Sequence, residues 1–264
     1  MAALFTIPIP PFNQHVGGSI TCTLPAPSIY LLTISAPPDN RLTTAFCTAF
    51  MAALDRLEFD DAYPSGAVIT TSALPKFYSN GLDLEHALST ETFLPQQLYK
   101  MFNRLLTYPM PTIALLNGHA FAGGLMLAMH HDYRVMNPSR GFVCVNELDF
   151  GVPLKPAMSS IFRIKTSPAT YRSLVLEAHR FDGKAALAAG IVDGLGGLDE
   201  ALGLVAARKL TEKGKTGIYG LMKAEMYQES VNMLSEDGHV REEGRVLRML
   251  EADEKRRGEG KSKL

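Results

Sequence analysis

The 264-residue sequence has no tryptophan and only three cysteines, Cys22, Cys47 and Cys144. A sparse, odd and unpatterned cysteine set excludes a disulfide framework and a cysteine-built zinc site, and it fits a reducing compartment. Cys144 lies in an apolar stretch and reads as a core residue. Neither sign of charge is in excess: 26 Lys and Arg face 27 Asp and Glu, for a net charge of -1. With no basic stripe interleaved with aromatics, neither nucleic acid nor a membrane surface is expected as a partner. No apolar run is long enough to span a bilayer. The opening MAALFTIPIPPF lacks the basic start and long apolar region of a secretory signal. There is no Walker glycine loop, no G-x-S-x-G elbow, and no set of side chains at metal-ligand spacing, so no metal is expected.

What is present begins with TIALLNGHAFAGGLMLAMHHDY, residues 112–133. An apolar strand, a small-residue turn containing Gly123 and Gly124, and a buried helix follow one another. A strand, a glycine turn and a helix start make a place where main-chain N–H groups point at a ligand. The segment FYSNGLDL, residues 77–84, repeats that grammar after a second strand. The composition, 46% apolar and 20% charged, is that of a globular chain able to bury a sizeable core.

The rest alternates short strands with helices. Residues 1–28 are proline-rich and read as irregular lead-in with an edge strand near 19–23. Strands are expected at 29–35, 67–71, 112–116, 132–136, 141–146 and 191–193. Helices are expected at 42–57, 97–106, 123–131, 156–163, 167–177, 182–189, 198–210, 217–235 and 240–253. Residues 86–96 read as a loop or short helix, and Met222, Met226 and Met233 as core or part of a pocket. The fold class is α/β, divided into a core over 1–197 and a helical region over 198–264.

In order along the chain, SNGLDL, NGHAFAGGLMLAMHHD, NELDFGV and FDGKAALAAGIVD resemble the enoyl-CoA hydratase/isomerase, or crotonase, family, over about residues 29–195 with a compatible helical tail. The resemblance implies a spiral of ββα units with C-terminal helices, packed as a homotrimer or hexamer. It implies an acyl-CoA substrate, and no cofactor beyond the coenzyme A that the substrate carries. It implies an oxyanion hole built from the main-chain N–H groups of Leu82 and Gly123, with Ser79, Asn80, Gly81, Asp83, Gly124 and Met126 lining the substrate. A developing oxyanion gains from fixed donors and a helix N-terminus; removing one such donor costs roughly 3 kcal/mol of barrier.

Hydratases of the family carry two glutamates, and the slot of the first holds Met126 here. The second slot holds Glu147, in apolar company that raises a carboxylate pKa toward neutrality. One base suffices to move a proton from C2 to C4 of a 3-enoyl-CoA, so the resemblance implies a Δ3,Δ2-enoyl-CoA isomerase of fatty-acid β-oxidation. Another crotonase reaction (hydration or thioester hydrolysis) and a non-catalytic acyl-CoA binder stay open. Asp149 ranks below Glu147 as a base, and Lys155 stands where another isomerase type places its base. His119, His130 and His131 read as structural. The ending Ser262-Lys263-Leu264 is a tripeptide read by the peroxisomal import receptor, preceded by a tail at 256–261 expected to be flexible.

Overall fold

Alternation of side chains decides the layers. In the strand Ile29–Ser35, Tyr30, Leu32 and Ile34 join one hydrophobic cluster while Ile29 and Leu31 join another. A strand with both faces buried belongs inside a sheet covered on two sides. The structure is a computed structural model and describes residues 2–261, so Ser262, Lys263 and Leu264 lie outside the described residues.

In chain order, β1 (Ala3–Ile9), β2 (Gly18–Ala26) and β3 (Ile29–Ser35) lead to α1 (Thr44–Phe59) and β4 (Ala67–Ser72). Then come β5 (Phe77–Ser79), α2 (Leu84–Ser89), a π-helical turn (Leu94–Leu98) and α3 (Tyr99–Leu106). The middle of the chain is β6 (Thr112–Leu116), β7 (His119–Phe121), α4 (Gly123–His130), β8 (Tyr133–Met136) and β9 (Val143–Cys144). A 3-10 turn (Glu147–Phe150) precedes α5 (Pro156–Lys165), α6 (Pro168–Leu176), α7 (Gly183–Ala188) and β10 (Gly194–Leu195). Beyond these the described residues form only helices: α8 (Leu198–Ala207), a 3-10 segment (Leu210–Thr216), α9 (Tyr219–Met226), α10 (Gln228–Leu234) and α11 (Glu236–Lys261).

Seven strands make one sheet in the order β1-β2-β3-β4-β6-β8-β10. β1, β2 and β3 are an antiparallel meander, and pairing from β3 to β10 is parallel. The larger cluster, on one face, takes in Phe46, Phe50 and Leu54 of α1, Phe102 of α3 and most of α4. The smaller one packs Ile69, Ile113 and Val135 against Ala201 and Val205 of α8. A second sheet holds only β5, β7 and β9. Four helix starts are capped: Thr43, Asp83, Ser167 and Asp182 each accept a main-chain N–H of the following turn.

Several sequence expectations need correction. The proline-rich lead-in is β1, whose extended backbone pairs with β2. The turn after β6 contains β7, a strand of three residues. The last strand is Gly194–Leu195, not 191–193: it pairs with Val135 and Met136 of β8, while Ile191 O is taken by the Arg134 side chain. Residues 217–235 break at Tyr227 into α9 and α10. Met222 and Met226 are exposed rather than core. The last helix runs from Glu236 through Lys261, so the backbone of 256–261 is helical rather than a flexible tail.

Candidate active site

β5, β7 and β9 run parallel, pairing Phe77 with His119, Ser79 with Ala120, Ala120 with Val143 and Phe121 with Cys144. Parallel strands place their carboxyl ends at one edge. At that edge β5 leads into Gly81 and Leu82, β7 into Ala122 and Gly123, and β9 into Asn146 and Glu147. Three segments far apart in sequence thus leave one small sheet side by side.

The first two segments touch. Gly81 sits at φ +80°, and a Cβ there would meet Phe121 O at 2.8 Å and the Gly123 nitrogen at 3.0 Å. A Cβ on Gly123 would lie 3.3 Å from the Leu82 nitrogen. The main-chain bonds that fix these turns run from Leu42 N–H to Gly81 O (2.9 Å), Asp83 N–H to Leu42 O (3.4 Å), Ala122 N–H to Cys144 O (2.9 Å) and Met126 N–H to Ala122 O (3.0 Å). They use neither the Leu82 nor the Gly123 N–H. Gly123 opens α4, where the first amides have no acceptor within the helix. Its N-cap Ala122 sits at φ 49°, ψ -120°, a strained conformation of the kind that clusters at ligand-handling turns. Gly124 lets α4 settle onto β5, since a Cβ there would be 2.3 Å from Ser79 O.

The side chains of Ser79, Asn80 and Asp83 build this turn. Ser79 Oγ donates to Asn40 O and accepts from Gly81 N–H. Asn80 Nδ2 donates to Asp39 Oδ2 at 2.7 Å. Asp83 Oδ1 caps α2 at His86 N–H (2.7 Å), while Oδ2 takes Gln14 Nε2 at 2.9 Å and His15 Nε2 at 2.6 Å. Burial works against the Asp83 carboxylate, but the His86 amide and His15 hold it below the ordinary range. Ser79 and Asp83 therefore offer a ligand main chain rather than side chain. Sequence reasoning missed the supports behind them. Asn40, fully buried at φ 52°, bonds Ser72 Oγ, Tyr78 O and Ala36 N–H. Arg41 donates to Asn80 O and Leu82 O, both at 3.0 Å. An Asn-Arg pair at a proline turn gives no sign in sequence of partners some 40 residues away.

Glu147 starts the 3-10 turn after β9. Burial pushes its carboxyl up to about 7, against a weaker lowering by a main-chain N–H. Its Oε2 and the neighbouring Asn146 Oδ1 are buried with no hydrogen-bond partner among the described residues. Unpaired buried acceptors are costly and mark groups awaiting a partner. Met126, one turn into α4 from Gly123, is fully buried. Asp149 is exposed, and Lys155 pairs with Glu243 at 3.1 Å.

The far end of α4 is tied down by buried polar groups. His130 Nδ1–H donates to Met126 O (2.7 Å) and His131 Nδ1–H to Leu127 O (2.9 Å). Burial pushes both imidazoles down to about 3, so they are neutral, and His131 Nε2 accepts from Thr70 Oγ1. Thr70 also bonds the hydroxyl of Tyr78, on β5. Lys165 Nζ donates to Met129 O and His131 O. His119 accepts the Phe142 N–H at Nδ1, while His130 Nε2 is buried with no hydrogen-bond partner among the described residues.

Residues 26–261 match the family model described as Enoyl-CoA hydratase/isomerase. Enoyl-CoA delta isomerase 2, peroxisomal, of Arabidopsis thaliana is 32% identical over 228 residues, covering 80% of this chain and 94% of its own. A probable enoyl-CoA hydratase of Bacillus subtilis is 28% identical over 192 residues, covering 70% of this chain and 72% of its own. Among solved structures, an enoyl-CoA hydratase/isomerase family protein from Pseudomonas syringae superposes with a TM-score of 0.72 at 26% identity, over 84% of this chain and 95% of that one.

Proposed function

The chain belongs to the enoyl-CoA hydratase/isomerase family, with the crotonase fold, and from that premise we propose that it is a Δ3,Δ2-enoyl-CoA isomerase working with one base and an oxyanion hole. The Glu147 carboxylate takes the proton from C2 of a 3-enoyl-CoA. The electron pair moves onto the thioester oxygen, which the Leu82 and Gly123 N–H groups receive. Collapse of this dienolate returns the same proton from Glu147 to C4, and the double bond lies between C2 and C3. No water is consumed and no second acid is needed.

The observation that carries this reading is the pairing of a single half-buried carboxyl, pushed up to about 7, with Met126 in the slot where a hydratase of the family carries its other glutamate. A thioether neither holds a proton nor orients a water. Hydration stays the second reading, because Asn146 offers an unpaired buried acceptor beside Glu147. Purified protein given 3-enoyl-CoA in water enriched in oxygen-18 separates the two. Accumulation of unlabelled 2-trans-enoyl-CoA supports isomerisation; rapid formation of labelled 3-hydroxyacyl-CoA from 2-enoyl-CoA supports hydration. We place this reaction in the peroxisome, on the C-terminal tripeptide together with the peroxisomal relative.

A further inference from the structure

The loop between β1 and β2 closes on itself through reciprocal bonds between Phe12 and His15, both 2.9 Å. It then lies against the turn that carries Leu82. The Phe12 ring meets the His86 ring edge-on at 4.6 Å. His15 Nε2 stands 2.6 Å from Asp83 Oδ2, with side-chain exposures of only 15% and 9%. Gln14 Nε2 donates to the same oxygen at 2.9 Å. Asp83 is the residue directly after Leu82, and its other oxygen caps α2.

We propose that this hairpin loop is a strap that positions the Leu82 N–H, with His15 as a positioning residue acting through Asp83. The inference rests on the reading of Leu82 as an oxyanion donor. A main-chain donor helps a transition state only if its direction is fixed before charge develops. α2 has six residues, too few to hold its own first turn rigid. Its anchorage must come from tertiary contacts. Leu42 N–H holds Gly81 O, Arg41 holds Leu82 O, and the strap holds the next residue through a charged acceptor. Hydrogen bonds to charged groups are the stronger class. Residues 12–15 lie ahead of the segment that matches the family model, which begins at 26.

The test compares wild type with His15→Ala and His15→Gln. In ligand-free protein the amide resonances of Leu82 and Gly123 are followed by NMR; kcat and KM for 3-enoyl-CoA and the thermal midpoint are measured alongside. His15→Ala should shift or broaden the Leu82 resonance more than that of Gly123. It should lower kcat by up to about tenfold, part of the roughly hundredfold that loss of an oxyanion donor costs, with KM held within about twofold. His15→Gln, which keeps an N–H donor, should recover most of both. A His15→Ala protein with the wild-type Leu82 resonance overturns the proposal. So does a kcat loss that tracks the thermal midpoint and is not recovered by glutamine. Failure of wild type to isomerise counts against the reaction assigned above and not against the strap, because the Leu82 resonance is read without substrate.

Discussion

An exposed glutamate is ionised throughout the neutral range and is a feeble base. Glu147 differs because burial pushes it up to about 7, where ionisation and proton affinity are balanced. In the proposed mechanism the carboxylate is the active form, so kcat/KM should rise with pH through about 7 and level off above it, as initial rates across that range would register. The same shift costs stability. A carboxyl whose folded pKa is raised gives full stability below its ordinary value near 4.5 and loses it as pH rises through about 7. Glu147→Gln should therefore be more stable than wild type above pH 7, by about 2 kcal/mol after allowing for partial exposure, and no different at pH 4. Chemical denaturation at the two pH values measures this. Met126 is the complementary residue. Met126→Glu should produce a 3-hydroxyacyl-CoA, one water heavier than the enoyl substrate, detectable by mass spectrometry. Placing a carboxylate at a fully buried position should cost about 1–3 kcal/mol, read as a lower thermal midpoint.

The elements that matter most are the short ones. α4 and the end of β5 meet through Gly124, where an added Cβ would be 2.3 Å from Ser79 O. Gly124→Ala should wedge the two donors apart, costing about 1–3 kcal/mol of stability and more in kcat than in KM, as denaturation and steady-state kinetics would show. Ala122→Gly should act in the opposite direction on stability, by about 1 kcal/mol, because glycine tolerates the positive φ of that turn. Legibility in the sequence follows element length and locality. β3 and β6 end where their apolar, β-branched runs end, since a strand buried on both faces needs such a run. α1 announces itself by periodicity and α7 by a capping Asp182, whereas the cap at Thr43 falls inside the span 42–57 that periodicity suggests. β7, three residues long, exists only because β5 and β9 flank it, so nothing local signals it. In the candidate site, the glycine turns and Glu147 can be placed by their order along the chain. The contact of His15 with Asp83 joins residues 68 apart and has no local pattern.

For the whole molecule, apolar surface remains to be covered. Ile218, the N-cap of α9, and Met222 and Met226 within it recur every four residues, with Leu221 beside them, and all are more than half exposed. We propose that copies of the chain meet on this stripe. A homotrimer or hexamer is the expected assembly, and sedimentation equilibrium should give three or six times the 28.8 kDa chain mass; replacing Leu221 and Met222 by glutamate should shift the mass toward the single chain. The C-terminal helix is continuous through Lys261. A fluorescent protein fused ahead of Met1 should enter peroxisomes with the full chain and stay outside them when the last three residues are deleted.

In the proposed mechanism one carboxyl, Glu147, carries the proton in both directions. The most direct test is a single-turnover conversion of 3-enoyl-CoA to 2-enoyl-CoA by wild type and by Glu147→Gln, each at the same pH above 7. The glutamine variant should turn over at least about a hundredfold more slowly, with substrate binding retained. Conversion by Glu147→Gln at the wild-type rate would contradict it.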